Sequence, residues 1–288
     1  MTDVSRAEHR PNDPRSNWDQ LTQAEGNAAY DNNANVANSP ALIAERNSAS
    51  ERFRAACRAH LDLPYGNEDR TKIDIYPGTD ADKPCLVFVH GGYWQRNSRE
   101  QFAMLVEGVA AHGWSVAIPG YSLAPDASLT QIVDEISRAL DWIAVKGASY
   151  GISGPIIISG WSAGAQLAAM ALGHPRVMAG LAISGVYELA PIRDTGLNNA
   201  LKLTEDEIAN LSPLRLPASS KRLDIAYGTR ELPALVLDSI YLHEKRSKEN
   251  APGKLLLIEG ADHFTILSEL RRPDGRLVAA ALELAAQS

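Results

Sequence analysis

The chain has 288 residues, 45% of them hydrophobic and 22% charged, with a formal net charge of -7. That is the size and balance of one α/β domain with a substantial core. The acidic balance argues against nucleic acid, whose phosphates require a basic patch, and the absence of any long apolar or Lys/Arg run argues against a membrane span or surface.

Two cysteines, Cys57 and Cys85, make neither a disulfide framework nor a four-cysteine zinc site, and no metal or cofactor is expected. The polar start, "MTDVSRAEHRPNDPRSNW", lacks the apolar stretch of a secretory signal, so the cytoplasm is the expected location. Residues 1–16 read as a loose tail. Residues 17–62 read as a broken helical segment, "DQLTQAEGNAAYDNN" and then "PALIAERNSASERFRAACRAH", with Leu42, Ala49, Phe53 and Ala56 near one face after Pro40. This segment has too little apolar surface for a core of its own and is expected to cover the site of the domain that follows, residues 63–288.

From there strands and helices alternate. "KIDIYP" and "CLVFVH" read as strands, "REQFAMLVEGVAAHG" as a helix ending at Gly113, and "WSVAIPGY" as a strand. "SLTQIVDEISRALDWIAVKG" is a long amphipathic helix with a serine start and a glycine stop. "GPIIISG" and "MAGLAISG" are strands on either side of a helix that begins near Ser162, and "KRLDIAYG" and "GKLLLIEG" are the late strands. Their apolar runs are continuous rather than alternating, as parallel strands covered on both faces require. The order implies a mostly parallel central sheet flanked by helices.

Ser162 stands in Gly160-Trp161-Ser162-Ala163-Gly164, which fits G-x-S-x-G between a strand and a helix. A sharp turn there exposes the hydroxyl at the sheet's C-terminal edge, above helix N–H groups that stabilise developing negative charge. The plain alternative is a serine N-cap between two packing glycines. A second feature weighs against that alternative: the strand "CLVFVH" runs into His90-Gly91-Gly92-Tyr93-Trp94, an HGG-type loop. Such a loop supplies a second oxyanion donor, so Gly91, Gly92, Tyr93 and Ala163 are the candidate donors.

With the order serine, acid, histidine, His9, His60, His90 and His112 come too early to be the base. His174 is too near the elbow and His243 lies inside a helix, whereas His263 follows the last strand in the loop "GADHF". Glu231 is the first carboxylate after the strand "KRLDIAYG". Asp224 in that strand, Asp238 in the next helix, Asp262 beside the base, and Asp194 with the "TEDE" cluster are weaker candidates. Ser162 as nucleophile, His263 as base and Glu231 as its orienting acid make a serine-hydrolase triad.

"HGGYW", "GYSLAPDASLTQIVDEI", "GWSAGAQLA", "GTRELP" and "DHF" together resemble the α/β-hydrolase superfamily, in particular its arylformamidase (kynurenine formamidase-like) branch, close to the hormone-sensitive-lipase-like esterases. The resemblance covers roughly residues 70–285, and "YDNNANVANSPALIAERNSAS" is similar to that branch's N-terminal segment. It implies an α/β-hydrolase fold and hydrolysis of a small-acyl amide or ester, an aryl formamide first. Trp161 and Gln166 depart from the branch, which usually has histidine at both positions, and Glu231 stands where it often has aspartate.

An aryl formamide needs a tight acyl side and an aromatic wall, for which Tyr93, Trp94 and Trp161 are the candidates; packing of the loop by Tyr93 and Trp94 is the competing reading. Short-acyl or aryl esters use the same parts, and a non-catalytic fold that binds a small ligand is the remote alternative. An interaction module built on residues 17–62 is a further one. The expected partner is a small-molecule amide or ester, with neither nucleic acid nor membrane, and a homodimer stays open.

Overall fold

The computed structural model describes residues 21–286, so the expected tail of residues 1–16 lies outside them. Eight strands form one sheet in the order β1-β2-β4-β3-β5-β6-β7-β8. They are β1 (His60–Pro64), β2 (Lys72–Tyr76), β3 (Cys85–Val89), β4 (Ser115–Pro119), β5 (Ile156–Trp161), β6 (Val177–Ile183), β7 (Leu223–Gly228) and β8 (Leu255–Ile258). The pairings β1/β2 and β2/β4 are antiparallel, and every pairing from β4 through β8 is parallel. The central strands β3, β4, β5 and β7 are buried at every position, which is why their sequences carry no polar alternation.

Helices cover both faces. Ahead of the sheet lie α1 (Gln23–Ala29), α2 (Asn32–Asn35) and α3 (Ser39–Ala56). Within it come α4 (Val106–Ala110), α5 (Leu129–Lys146), α6 (Ala163–Ala171), the short helices α7 (Ala190–Arg193), α8 (Asn198–Leu201) and α9 (Glu205–Leu211), then α10 (Pro233–Lys248), α11 (Ser268–Arg271) and α12 (Arg276–Ala286). The long helix α5 shows how its sequence encodes it. Ser128 accepts the Gln131 N–H while Gln131 accepts the Ser128 N–H, and Leu129, Ile132, Ile136, Leu140 and Ile143 bury one stripe.

Three sequence expectations change. The stretch read as one helix up to Gly113 is a 3₁₀ segment over Arg99–Leu105 followed by the short α4. Phe102, Ala103, Met104 and Leu105 are all buried, so packing from several sides, rather than one amphipathic face, sets its winding. The stretch up to residue 62 was read as helical, yet His60–Pro64 is the sheet's first strand. The buried face of α3 is Ser39, Arg46, Ala49 and Ser50, with Leu42 and Phe53 half-buried and Ala56 exposed.

The polar face of α3 is explained by what it covers. Ser50 Oγ donates to the Gln101 carbonyl (2.9 Å) and accepts the Met104 N–H (3.2 Å). Asp74 of β2, fully buried, accepts Arg54 Nε from α3 (3.0 Å), Arg99 Nε (3.1 Å) and the Asp62 N–H (2.9 Å). Two guanidinium groups on one buried carboxylate offset its desolvation and pin α3 and the 3₁₀ segment to the same strand. Among the described residues no helix is long and apolar enough to cross a membrane.

Candidate active site

Strand β5 runs straight into α6 through Ser162, whose backbone sits at φ 58 and ψ -124. Positive φ is costly for a residue with a side chain, about 1–3 kcal/mol, and it is tolerated where the surroundings over-determine it. Those surroundings are the two glycines. A Cβ at Gly160 would run into the Gly164 carbonyl, and one at Gly164 into the carbonyls of Val89 and His90. The Ser162 N–H donates to the Ile183 carbonyl of β6 (2.8 Å), which locks the turn from the other side.

The HGG loop approaches from β3. A Cβ at Gly91 would meet the Trp161 carbonyl at 2.5 Å and Ser162 Cβ at 2.9 Å, so loop and elbow touch through bare backbone. Gly92, Tyr93 and Trp94 all have positive φ. The N–H groups of Gly92, Tyr93 and Ala163 make no hydrogen bond among the described residues. Gly92 and Tyr93 border the cavity that holds Ser162, whereas Gly91 is set back from it. The Gly91 carbonyl instead accepts the Asn97 side-chain amide (3.0 Å) and faces His90 Nδ1 (2.9 Å).

His263, in the loop after β8, lies with Nδ1 3.0 Å from Glu231 Oε2, both side chains being essentially closed to solvent. The other carboxylate oxygen of Glu231 accepts Ser184 Oγ (2.5 Å) and the Gly228 N–H (2.8 Å). With Nδ1 committed to the carboxylate, Nε2 is the lone-pair nitrogen. His263 and Ser162 border the same cavity, of about 720 Å³. Among the described residues no hydrogen bond joins Ser162 to His263; such bonds commonly close only around substrate.

The competing groups are spent elsewhere. Asp238 accepts the N–H groups of Tyr187 (2.6 Å) and Glu188 (3.1 Å), Asp224 pairs with Arg222, and Asp262 accepts the N–H groups of Phe264 and Thr265. His174 faces Asp141, and His112 faces the Pro273 carbonyl.

The BD-FAE family profile matches residues 73–176. A kynurenine formamidase of Salmo salar is 30% identical over 256 residues, a stretch covering 83% of this chain and 86% of that protein. The chain belongs to the kynurenine formamidase family of α/β-hydrolases. The kynurenine formamidase of Danio rerio is 28% identical over 80% of this chain and 83% of its own. A solved structure from Silicibacter sp. TM1040, provisionally called a thioesterase, superposes with a TM-score of 0.81 at 30% identity, covering 88% of this chain and 98% of that one. An esterase of Pyrobaculum calidifontis shares the fold at a TM-score of 0.68 and 18% identity, over 86% of this chain and 92% of its own. As a member of this family the chain is a hydrolase of amide or ester bonds.

Within this kynurenine formamidase-family site, the aromatic candidates part ways. Trp94 is fully buried, its indole N–H donating to Gln166 Oε1 (3.1 Å), and it does not border the cavity. The expectation that it contacts substrate is corrected: it packs the loop, because Gln166 of α6 offers the acceptor that an indole buried in the core requires. Gln166 in turn donates to the Leu211 carbonyl (2.8 Å). Tyr93 does border the cavity, but its hydroxyl is committed, donating to the Tyr30 carbonyl (2.7 Å) and accepting Asn32 Nδ2 (3.0 Å). Trp161 borders the cavity and packs tilted against the His263 ring, centroids 4.7 Å apart, while its indole N–H donates to the His263 carbonyl (2.8 Å). It therefore holds the histidine from both ring and backbone.

The outer wall comes from the N-terminal helices. Tyr30, Asn32, Ile43 and Arg46 border the same cavity as Ser162 and His263. Asn27 Oδ1 accepts the Gly196 N–H (2.7 Å) and Asn35 Nδ2 donates to the Arg230 carbonyl (3.3 Å), one residue before Glu231. Two participants were missed by sequence reasoning. Ser184, at positive φ just after β6, had a signal in its place at a strand's C-terminal end. Asn97 had none, since its role depends on a loop conformation.

Proposed function

We propose that Ser162, Glu231 and His263 are a catalytic triad that hydrolyses aryl formamides through a formyl-enzyme. The observation that carries the proposal is the buried Glu231–His263 pair (3.0 Å) on the same cavity as a serine held at positive φ above a helix N-terminus. Names of the family's relatives in Salmo salar and Danio rerio support the choice of formamide.

In the proposed reaction His263 Nε2 takes the hydroxyl proton as Ser162 Oγ bonds to the formyl carbon. The carbonyl electrons move onto oxygen, where the N–H groups of Gly92, Tyr93 and Ala163 receive the charge, each donor contributing about 3 kcal/mol. Collapse of this intermediate breaks the C–N bond, and the His263 proton goes to the departing aryl amine. Water, deprotonated by His263, then cleaves the formyl ester to formate and restores Ser162. Glu231 keeps the ring oriented and stabilises the imidazolium in both halves. An aryl amine leaves more readily than an alkyl amine because the ring shares the nitrogen lone pair.

The same machinery cleaves short-acyl or aryl esters, and the generous cavity, about 720 Å³, favours that second reading for larger acyl groups. The test is a comparison of kcat/KM for aryl formamides with that for short p-nitrophenyl esters, with fluorophosphonate labelling of Ser162. Formamides at least on a par with esters, and a labelled Ser162, are expected. Preference for esters by orders of magnitude removes the formamidase reading, and absence of a Ser162 adduct on folded protein removes the triad.

A further inference from the structure

Arg46 is an unusual residue to find where it stands. It is 5% exposed, it lies on the covered face of α3, and it borders the active-site cavity. Among the described residues the other buried arginines, Arg99 and Arg246, do not border this cavity. Arg99 has Asp74, Asp62 and Glu100, and Arg246 has the carbonyls of Lys221 (2.7 Å) and Pro252 (3.0 Å). Arg46 has only neutral amide oxygens: Asn47 Oδ1 takes Nε (3.2 Å) and Nη2 (2.9 Å), and Asn97 Oδ1 takes Nη2 at 3.5 Å. Among the described residues no carboxylate pairs with it, and its hydrogen bonds run through Nε and Nη2.

Its placement ties it to the reaction site. The guanidinium carbon lies 4.3 Å above the Phe102 ring, and Phe102 in turn packs on Trp161 at 5.8 Å. Asn97, which it touches, donates its amide to the Gly91 carbonyl, in the loop that carries the unpaired Gly92 and Tyr93 N–H groups. Burial pushes the Arg46 pKa down to about 10, which still leaves it charged at neutral pH. Arg96, exposed at the same cavity, adds a second cation, with no ion pair among the described residues. The acids near the cavity are already used: Asp31 caps α2 through the Ala34 N–H, and Glu231 holds His263.

A buried guanidinium without a counter-charge is costly, and a planar carboxylate is the group its fork fits best. We propose that Arg46 is a specificity-determining residue whose guanidinium binds a carboxylate carried on the leaving-group half of the substrate. The proposal rests on the triad reading for the location of the reacting bond, because a formyl group leaves the acyl side no room for an anion.

The experiment reads binding, not turnover. Calorimetric titration of the unmutated protein compares 2-, 3- and 4-aminobenzoate and 4-(2-aminophenyl)butanoate with their uncharged carboxamides. These ligands mimic the amine product and carry no formyl group to be cleaved. At least one carboxylate is expected to bind about tenfold tighter than its amide. Arg46→Met is expected to bring that ratio to near one, and Arg46→Lys to keep part of it. No preference in any pair overturns the proposal, as does a preference that survives Arg46→Met. The first arm needs no variant and stands even where Arg46→Met fails to fold. A protein that prefers carboxylates but turns over no formamide refutes the formamidase reading and leaves Arg46 as assigned.

Discussion

Glu231 commits one carboxylate oxygen to Ser184 and the Gly228 N–H and the other to His263, so the carboxylate cannot rotate without losing a buried bond. Glu231→Gln keeps the shape but places an amide where the imidazole needs an acceptor, and kcat is expected to fall by about ten-thousandfold in steady-state assays. Asp238→Asn, which loosens two backbone N–H groups instead, is expected to lower the unfolding midpoint while kcat changes little; the opposite pattern would mean the acid is Asp238. Trp161→Phe keeps the ring against His263 and loses the indole bond to its carbonyl, a bond worth about 1 kcal/mol. A shifted or broadened pH profile of kcat/KM is the readout for this variant, and an unchanged profile makes Trp161 simple packing.

Elements differ in how openly their sequences announce them. Strands β3 through β8 were legible because buried parallel strands are written as largely apolar runs without strict alternation, and the elbow because glycines must flank its serine. The strand β1 was not, since "HLDLP" sits at the sheet edge, alternates with polar residues and ends in proline. The face of α3 was legible only in part: Ala49 and Phe53 pack on the core as expected, but Arg46 and Ser50 on the same side serve a cavity and a neighbouring backbone. Trp94 misled for a related reason: its acceptor, Gln166, is 72 residues away. The Asp74 network makes its own prediction at this scale. Removing a carboxylate that two guanidinium groups share strands buried charge, a loss of about 3–5 kcal/mol. Asp74→Ala is expected to lower the thermal midpoint and raise KM together, since α3 forms both the brace and the cavity wall; a lowered midpoint with KM unchanged would separate the two roles.

For the molecule as a whole, His90 sets a dependence of stability on acidity. It is fully buried, stacked at 4.2 Å on Tyr121 and 5.8 Å on Phe102, with Nε2 lacking any partner among the described residues. Burial pushes its pKa down from 6.5 to about 3, because a second ring proton would be a charge without an acceptor. Between those values the unfolded chain binds a proton that the folded chain refuses. The contribution of His90 is therefore complete above pH 6.5 and is lost as pH falls toward 3, at up to about 1.4 kcal/mol per pH unit. Urea midpoints measured from pH 7 down to 4 are expected to decline less steeply in His90→Asn than in the unmutated protein. Parallel declines would assign the acid sensitivity to other groups.

The outer wall of the cavity has a consequence for the order in which the protein is made. Asn27 and Asn35 seat on Gly196 and Arg230, 169 and 195 residues further along the chain. The wall thus leaves the ribosome first, while its seats, the orienting acid and the histidine are still untranslated. Synthesis at about 5–20 residues per second places Ser162 about a hundred residues ahead of His263, the base of the proposed triad. On the proposed triad, the chain carries the serine well before it carries the two groups that would activate it.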